Sequence, residues 1–318
     1  MSEPETDLPP GFEQFVTDEI EPLFDAMMTV RAEASSRLWK TGLIGAIIGL
    51  GLGAWLYLSK PELWPGALIL LAAGIVIGLI PGLSQRSKAK TLFDQQRVNK
   101  VSNFLQLQHQ ADGFEPPRFS TFTELELVAL GDRRRFSNLI TGQHNGIDFS
   151  IYEAKIEERR TRTVSSGKGT RTETYWATIF DGQLLHSPYP RKFACTTIIA
   201  RDQGWFNSKG RFGKTMKPMG LADPKFEKLF EVYTTDQVEG RFLVDPTFMV
   251  RLLELEDNHK DRKTTAGFFE QSVFVALQGS NRFLTNPNKS STARSLTITT
   301  ITAFQQVFHF LTALKGKK

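Results

Sequence analysis

Two stretches of this chain, Thr41 to Leu58 and Leu63 to Ile80, contain no charged residue. Each is 18 residues long, or about 27 Å of helix, close to the roughly 30 Å hydrocarbon core of a bilayer. Both are apolar all round rather than along one stripe, so no face prefers water. The helices of a soluble core can also be apolar, but the aromatic residues here favour a membrane. Trp39 lies at one expected boundary, and Trp55, Tyr57 and Trp64 lie at the other, where amphipathic rings settle at an interface. Only Ser59 to Glu62 separate the two spans, which leaves room for an antiparallel hairpin and nothing longer.

Charge sets the expected orientation. Arg31, Arg37 and Lys40 precede the first span, and Arg86, Lys88, Lys90, Arg97 and Lys100 follow the second, whereas the connecting loop has only Lys60. Positive residues resist translocation, so both termini are expected in the cytoplasm, on the inner face of a cell inner membrane. Residues 1–30 carry eight acids and no Lys or Arg. That is the reverse of the basic start of a cleavable signal peptide, so the first span is expected to be an uncleaved anchor. From residue 86 onward 35 Lys and Arg face 24 Asp and Glu. The single cysteine, Cys195, excludes an internal disulfide framework and a cysteine zinc site.

Glycines recur every fourth residue within the spans, as Gly45, Gly49 and Gly53 and again as Gly74, Gly78 and Gly82. In lipid, apolar surface gains little by hiding, and a row of small residues lets backbones approach and collect dispersion contacts. These rows are expected to pack the hairpin, or to pair it with a second copy. Neither span holds a charged residue that could line a transport path.

Apolar residues at steps of three and four (Phe12, Phe15, Val16, Ile20, Leu23, Phe24, Met27 and Met28) predict an amphipathic helical segment before the anchor, broken near Pro22. Leu92, Phe93, Val98, Val101, Phe104 and Leu105 predict a second one after it, stopping by Gly113. One segment is acidic and the other basic, so the two are expected to pack as a stalk. The chain is thereby divided into an acidic helical segment (1–40), a transmembrane hairpin (41–80), a basic juxtamembrane helix (81–111) and a cytoplasmic domain (112–318).

That domain reads as α+β. A short helix is expected from Thr121 to Leu130, with Thr121 and Glu124 at capping-box spacing. The period then changes to two at Ile147, Phe149 and Ile151, just after the hairpin signal Asn145-Gly146. Strands are expected over about 136–141, 147–151, 172–180 (ending at Asp181-Gly182), 193–200 and 271–277, the first four forming an antiparallel meander. Asp245-Pro246 opens a helix through Leu253, and Ile301, Phe304, Phe308 and Leu311 mark another that ends at Gly316. The fold class is a membrane-anchored α+β protein: a two-helix transmembrane hairpin with a helical stalk, then the β-meander with flanking helices.

No catalytic constellation, cofactor or metal is read here. Gly213-Lys214-Thr215 suggests a phosphate loop, but Ser208 stands where the pattern needs glycine and Pro218 spoils the helix that should follow. His109, His144, His186, His259 and His309 lack metal-ligand spacing. Cys195, in an apolar pattern, suits a buried structural thiol.

Two basic segments suit an anionic surface better than chemistry. Arg159, Arg160, Arg162, Lys168 and Arg171 border a Ser/Gly-rich turn. From Arg201 to Lys217, basic Lys209, Arg211, Lys214 and Lys217 interleave with Trp205, Phe206 and Phe212. This second segment is expected to contact the anionic inner leaflet or a protein partner. Nucleic acid is not favoured for a chain of this design.

The run from Lys228 to Glu256, KLFEVYTTDQVEGRFLVDPTFMVRLLELE, resembles a bacterial family known as domain of unknown function 3137. The FEVY run, the Asp-Gln-Val-Glu step, Arg241-Phe242-Leu243 and the Asp245-Pro246 turn carry the resemblance. It implies an inner-membrane protein over most of the chain, and no activity or site residues. The expected role is a membrane-anchored interaction or regulatory module acting through protein partners. A tethered enzyme without a recognisable motif, or an accessory subunit of a transport or envelope complex, stands as the alternative.

Overall fold

The computed structural model describes residues 8–166, 169–201, 215–221, 223–257, 263–279 and 291–315. Helix α1 (Phe12–Phe15) opens at Gly11, whose φ of 78° lies in the left-handed region. It runs through one π-helical stretch (Val16–Ile20) into α2 (Glu21–Ser59). The break expected at Pro22 does not occur. Pro22 lies directly after the π-helical stretch, and the chain stays helical from Phe12 to Ser59. Lys60 leaves helical geometry, a 3-10 turn spans Pro61–Leu63, and α3 (Trp64–Phe104) returns.

Helix α3 corrects a second expectation. The basic segment after the anchor is not a separate helix over 81–111, because α3 continues through Pro81 without a break and ends at Phe104. One proline removes a single backbone hydrogen bond, and 41 residues of helix absorb that loss. Both helical stretches are long and apolar enough to cross a membrane.

Beyond α3 come β1 (Gln108–Gln110), α4 (Phe119–Glu124), β2 (Arg133–His144), β3 (Ile147–Ser166), β4 (Gly169–Pro188), β5 (Thr197–Arg201) and β6 (Lys217–Pro218). They are followed by α5 (Pro224–Glu227), β7 (Phe230–Thr234), α6 (Gln237–Leu243), α7 (Pro246–Asp257), β8 (Lys263–Phe269), β9 (Ser272–Gln278) and α8 (Ala293–Leu314). Among the described residues the strands form one antiparallel sheet in the order β1-β2-β3-β4-β9-β8-β5-β7-β6.

Of the four strands expected to form a meander, the first three, β2, β3 and β4, follow one another. The fourth expected strand, β5, lies instead between β8 and β7. It starts at Thr197, so Cys195 lies just before a strand rather than in one. Asn145 and Gly146 do make the β2–β3 turn, both with positive φ. Asp181-Gly182 makes none, and β4 runs straight through it. Gly182 is required by its neighbour, since a Cβ there would run into the Leu277 carbonyl of β9. The capping box expected at Thr121 and Glu124 is also absent. Helix α4 starts after Arg118 and stops at Glu124.

Three aspartates start helices in the second half of the chain by accepting from backbone N–H groups. Asp223 accepts from Lys225 at 2.8 Å, Asp236 from Val238 at 2.8 Å and Asp245 from Phe248 at 2.7 Å.

The chain divides into two compact units, residues 1–100 with 286–298, and residues 101–285 with 299–318. The first residues of α8 belong with the N-terminal helices. In the second unit, Phe122, Tyr152, Ile156, Leu184 and Phe274 form the centre of a buried core. Phe122 meets Phe274 edge-on at 5.2 Å between ring centres. The later part of α8 packs through Phe308 on His144 and Phe149, and through Phe310 on Phe248 of α7.

Candidate functional site

In the helical unit, the glycines of α2 and α3 face each other. A Cβ on Gly49 would lie 2.9 Å from the Leu70 carbonyl oxygen and from the Leu71 Cα. One on Gly53 would lie 2.9 Å from the Ala67 carbonyl oxygen. Gly45 abuts Gly74 and Gly78, Gly78 abuts Thr41 and Gly42, and Gly82 abuts Leu38. Gly51, on another face, has open space around it. Other large side chains point elsewhere: Leu43, Ile47, Leu50, Trp55, Leu68 and Ile69 are all at least half exposed. An open apolar groove of about 380 Å³ runs along the glycine face, lined by Ile44, Ile48, Leu52 and Ile77 as well as the glycines.

Away from that hairpin, the two helices and the start of α8 enclose a small core of Met27, Phe93 and Leu296, with Phe24 edge-on to Phe93 at 5.8 Å. Charge pairs tie the segments together. Glu13 accepts from the Nε and Nη2 groups of Arg294, and Glu19 pairs with Lys100. Arg97 is fully buried, 3.0 Å from the nearly buried Asp94, and donates to the Leu296 carbonyl at 2.6 Å. Burial pushes the Asp94 carboxyl above its ordinary range despite the pull of Arg97, and burial pushes Arg97 down. The apolar periodicity before and after the anchor signals this packing, but nothing in it points to residues near 294–297.

In the sheet unit, most of the expected contact loop (Trp205, Phe206, Lys209, Arg211, Phe212 and Lys214) lies outside the described residues. Lys217 lies on the short edge strand β6, exposed and opposite Thr234. Arg201 lies at the end of β5, 2.6 Å from the buried Glu256, whose other oxygen accepts from the Thr264 N–H at 2.9 Å. It borders a cleft of about 490 Å³ with Glu126, Lys263, Thr265 and Gln278 on its polar side and Leu127 and Phe180 on its apolar side. Glu256 neutralises Arg201 there, so the cleft carries little net charge for an anion.

Cys195 is buried beside Thr197 at 3.3 Å, and its own N–H donates to Glu239. Burial pushes its thiol up, away from nucleophilic character. Among the described residues, no group of three or more His, Cys, Asp or Glu is placed to hold a metal ion.

The other basic segment forms an element of its own. Strand β2 pairs with β3 no further than Glu157, and β9 pairs with β4 no further than Gly182. Strands β3 and β4 continue together past both, down to Ser166 and Gly169. The register shifts at Ile156/Glu157, leaving Ile179 as the extra residue. The result is a two-stranded ribbon whose described residues include Arg159, Arg160, Arg162 and Arg171. Arg160 pairs with Glu158, while Arg162 and Arg171 share Glu173. Arg133 lies over Trp176 at 5.0 Å, and Arg162 over Tyr175 at 5.5 Å.

The stretch that carries the family resemblance folds as β7, α6 and α7, with the buried Phe230, Val232, Tyr233, Leu243, Val244 and Phe248 facing inward. Residues 178–315 match DUF3137, described as a protein of unknown function. The resemblance holds. The DUF3137 match starts within β4, so the helical hairpin, β2 and β3 lie outside it, and it spans less of the chain than the sequence motif implied. A comparison with curated proteins finds no match. Among solved structures, the crystal structure of the mycobacterial trehalose monomycolate transport factor A, TtfA, is similar at 10% identity. The similarity covers 69% of this chain and 95% of that one with a TM-score of 0.35, a superposition too loose to transfer fold or role. Within the DUF3137 segment, the conspicuous polar side chains act on backbone: Asp236 and Asp245 cap helices, and Glu239 accepts from the Ala194 and Cys195 N–H groups.

Proposed function

We propose that this protein is a membrane-anchored docking module, held in the inner membrane by the α2–α3 hairpin and gathering protein partners through its sheet unit. One observation carries the anchor. The hairpin is inside-out by the standard of a soluble helix pair: glycine backbones meet within it, and leucine, isoleucine and tryptophan face outward. In water, that arrangement exposes the groups that gain most from burial and buries those that gain least. In hydrocarbon it is favourable, because the outer side chains meet lipid and the close backbones collect dispersion. The excess of basic residues flanking the hairpin supports cytoplasmic termini.

Two further points support docking over chemistry. The buried ionisable groups Asp94, Arg97 and Glu256 are engaged by other groups of the fold, and Cys195 is held away from its thiolate. The exposed ribbon, by contrast, offers arginines and aromatics to the solvent. The basic-aromatic segment from Arg201 to Lys217 is proposed on its sequence alone to touch the anionic leaflet near the anchor.

Membrane fractionation with alkaline carbonate tests the anchor. The full chain should stay in the pellet and leave it only with detergent. Release by carbonate alone would make it a peripheral protein and overturn the proposal.

A further inference from the structure

We infer that the open edge of β3 beyond Glu157 is a strand-addition site for an extended peptide in which acidic and β-branched residues alternate. This deepens the docking reading by giving the partner a chemistry, and it rests on that reading for its biological setting.

The backbone supplies the first part of the case. The Glu157 carbonyl accepts from the Asp132 N–H at 2.9 Å, and the Arg159 N–H donates to the Asp132 carboxylate at 2.8 Å. Both groups point away from β4, toward the side that β2 occupies further up. Backbone direction in a strand repeats every second residue, so Thr161, Thr163 and Ser165 turn their N–H and C=O groups to the same side. Strand β2 begins only at Arg133, opposite Glu157, and among the described residues no strand pairs with β3 on that side beyond it. Asp132 takes the Arg159 N–H, and from the Arg159 carbonyl to Ser165 the edge is free over about 20 Å, at roughly 3.3 Å per residue. Such a row of unpaired groups is a template for another strand.

Side chains supply the second, independent part. An added strand would place alternate residues on the two faces of the ribbon. On one face its neighbours are Arg159, Thr161 and Thr163, and across the ribbon stand Trp176, Thr174 and Thr172. This face suits β-branched side chains against threonine methyls and the Trp176 ring. On the other face its neighbours are Arg160 and Arg162, with Tyr175 and Glu173 across from them. That face suits carboxylates. Asp132 already shows the pairing in miniature, since its carboxylate closes the first backbone N–H of the edge. Among the described residues, Arg160 pairs with Glu158 while Arg162 and Arg171 share Glu173, so four arginines stand beside two carboxylates, which leaves charge for an acidic guest and opposes a second, equally basic copy of the ribbon.

The test uses the full chain in a neutral detergent and a fluorescent nine-residue peptide alternating Glu and Val. A second peptide of the same sequence carries N-methyl groups on two adjacent central amides, one for each edge of the strand. The parent peptide should bind saturably, and the methylated one at least ten-fold more weakly. Thr161→Pro should also weaken binding at least ten-fold, because it removes an edge N–H without touching charge. Arg160→Glu with Arg162→Glu should abolish binding. Thermal unfolding of each variant should match that of the wild type, since the ribbon lies outside the buried core. No binding of the parent peptide overturns the proposal. So does equal binding of the two peptides, which would make the ribbon a plain cationic surface of the kind that anionic lipid or nucleic acid would occupy. Carbonate extraction is indifferent to all of these results, so failure here is distinct from failure of the anchor.

Discussion

Arg97 on α3 donates a hydrogen bond of 2.6 Å to the carbonyl of Leu296, 199 positions further along the chain. The same guanidinium holds Asp94 at 3.0 Å, and neither side chain has appreciable access to water. A charged pair so placed stabilises little in net terms, because desolvation offsets most of its attraction. Losing one member is a different matter.

Arg97→Met should therefore destabilise the helical unit by about 3–5 kcal/mol, leaving the Asp94 carboxylate buried without its counter-charge. Asp94→Leu combined with Arg97→Met should recover much of that loss, since an apolar pair carries no desolvation cost. Chemical unfolding of the three proteins in detergent measures both effects. A double variant no more stable than Arg97→Met alone would assign the loss to the Leu296 contact instead.

The glycine faces make a positional prediction. Gly49→Leu has no room, with backbone atoms 2.9 Å from where its Cβ would stand, so it should force the helices apart at a cost of about 1–3 kcal/mol. Gly51→Leu meets open space and should be near neutral. Thermal unfolding and cross-linking between the two helices in detergent would read the contrast. Equal behaviour of the two variants would reduce the glycine rows to composition.

Topology is checked by labelling intact cells with an impermeant thiol reagent in a Cys195→Ser background. Ser59→Cys, in the short connection, should react from outside. Ser2→Cys should react only after the cells are broken. Labelling of position 2 from outside would reverse the orientation drawn from the flanking charges.

A pH dependence follows from His186, whose ring lies 5.0 Å from Phe274. Burial, and then the positive Arg118, hold its pKa down at about 4 against an ordinary 6.5. Between those values the unfolded chain takes up a proton that the folded chain refuses. The stabilisation is thus complete above pH 6.5 and lost as the pH falls toward 4. His109 and His144 shift the same way through burial. His186→Gln should flatten, without removing, the decline in thermal stability across this window. An unchanged slope would place the proton uptake on the other two histidines.

Much of the fold was legible because local signals and burial agreed. The Asn145-Gly146 turn, the Asp245 cap and the stripe through Ile301, Phe304 and Phe308 each combine a turn or cap with a matching apolar period. Asp181-Gly182 misled because glycine serves two needs, positive φ and close approach, and a sequence shows only that glycine is there. Here β9 crosses near Gly182 and the strand continues. The insertion of β5 between β8 and β7 is a pairing over long sequence distance, which no local period encodes. The same holds for Leu296 on Arg97. The ribbon was visible only as a run of arginines beside a Ser/Gly turn. That its edge stands open depends on where β2 begins, and Arg133 itself marks no boundary in the pattern.

The unbroken course of α3 through Pro81 has a consequence for how this protein can change over generations. Between Gly82, lodged against Leu38, and Phe93, lodged against Phe24, the helix offers no loop to absorb a change in length. One added residue would turn everything beyond it by about 100° and carry it about 1.5 Å along the axis, so that Phe93 and Arg97 would face away from their partners. Apart from Arg86, which donates to Ser35 at 2.6 Å, the exposed positions of that stretch are open to substitution, while insertion and deletion are closed to it. Lineages that keep this packing should vary there in letters and never in number.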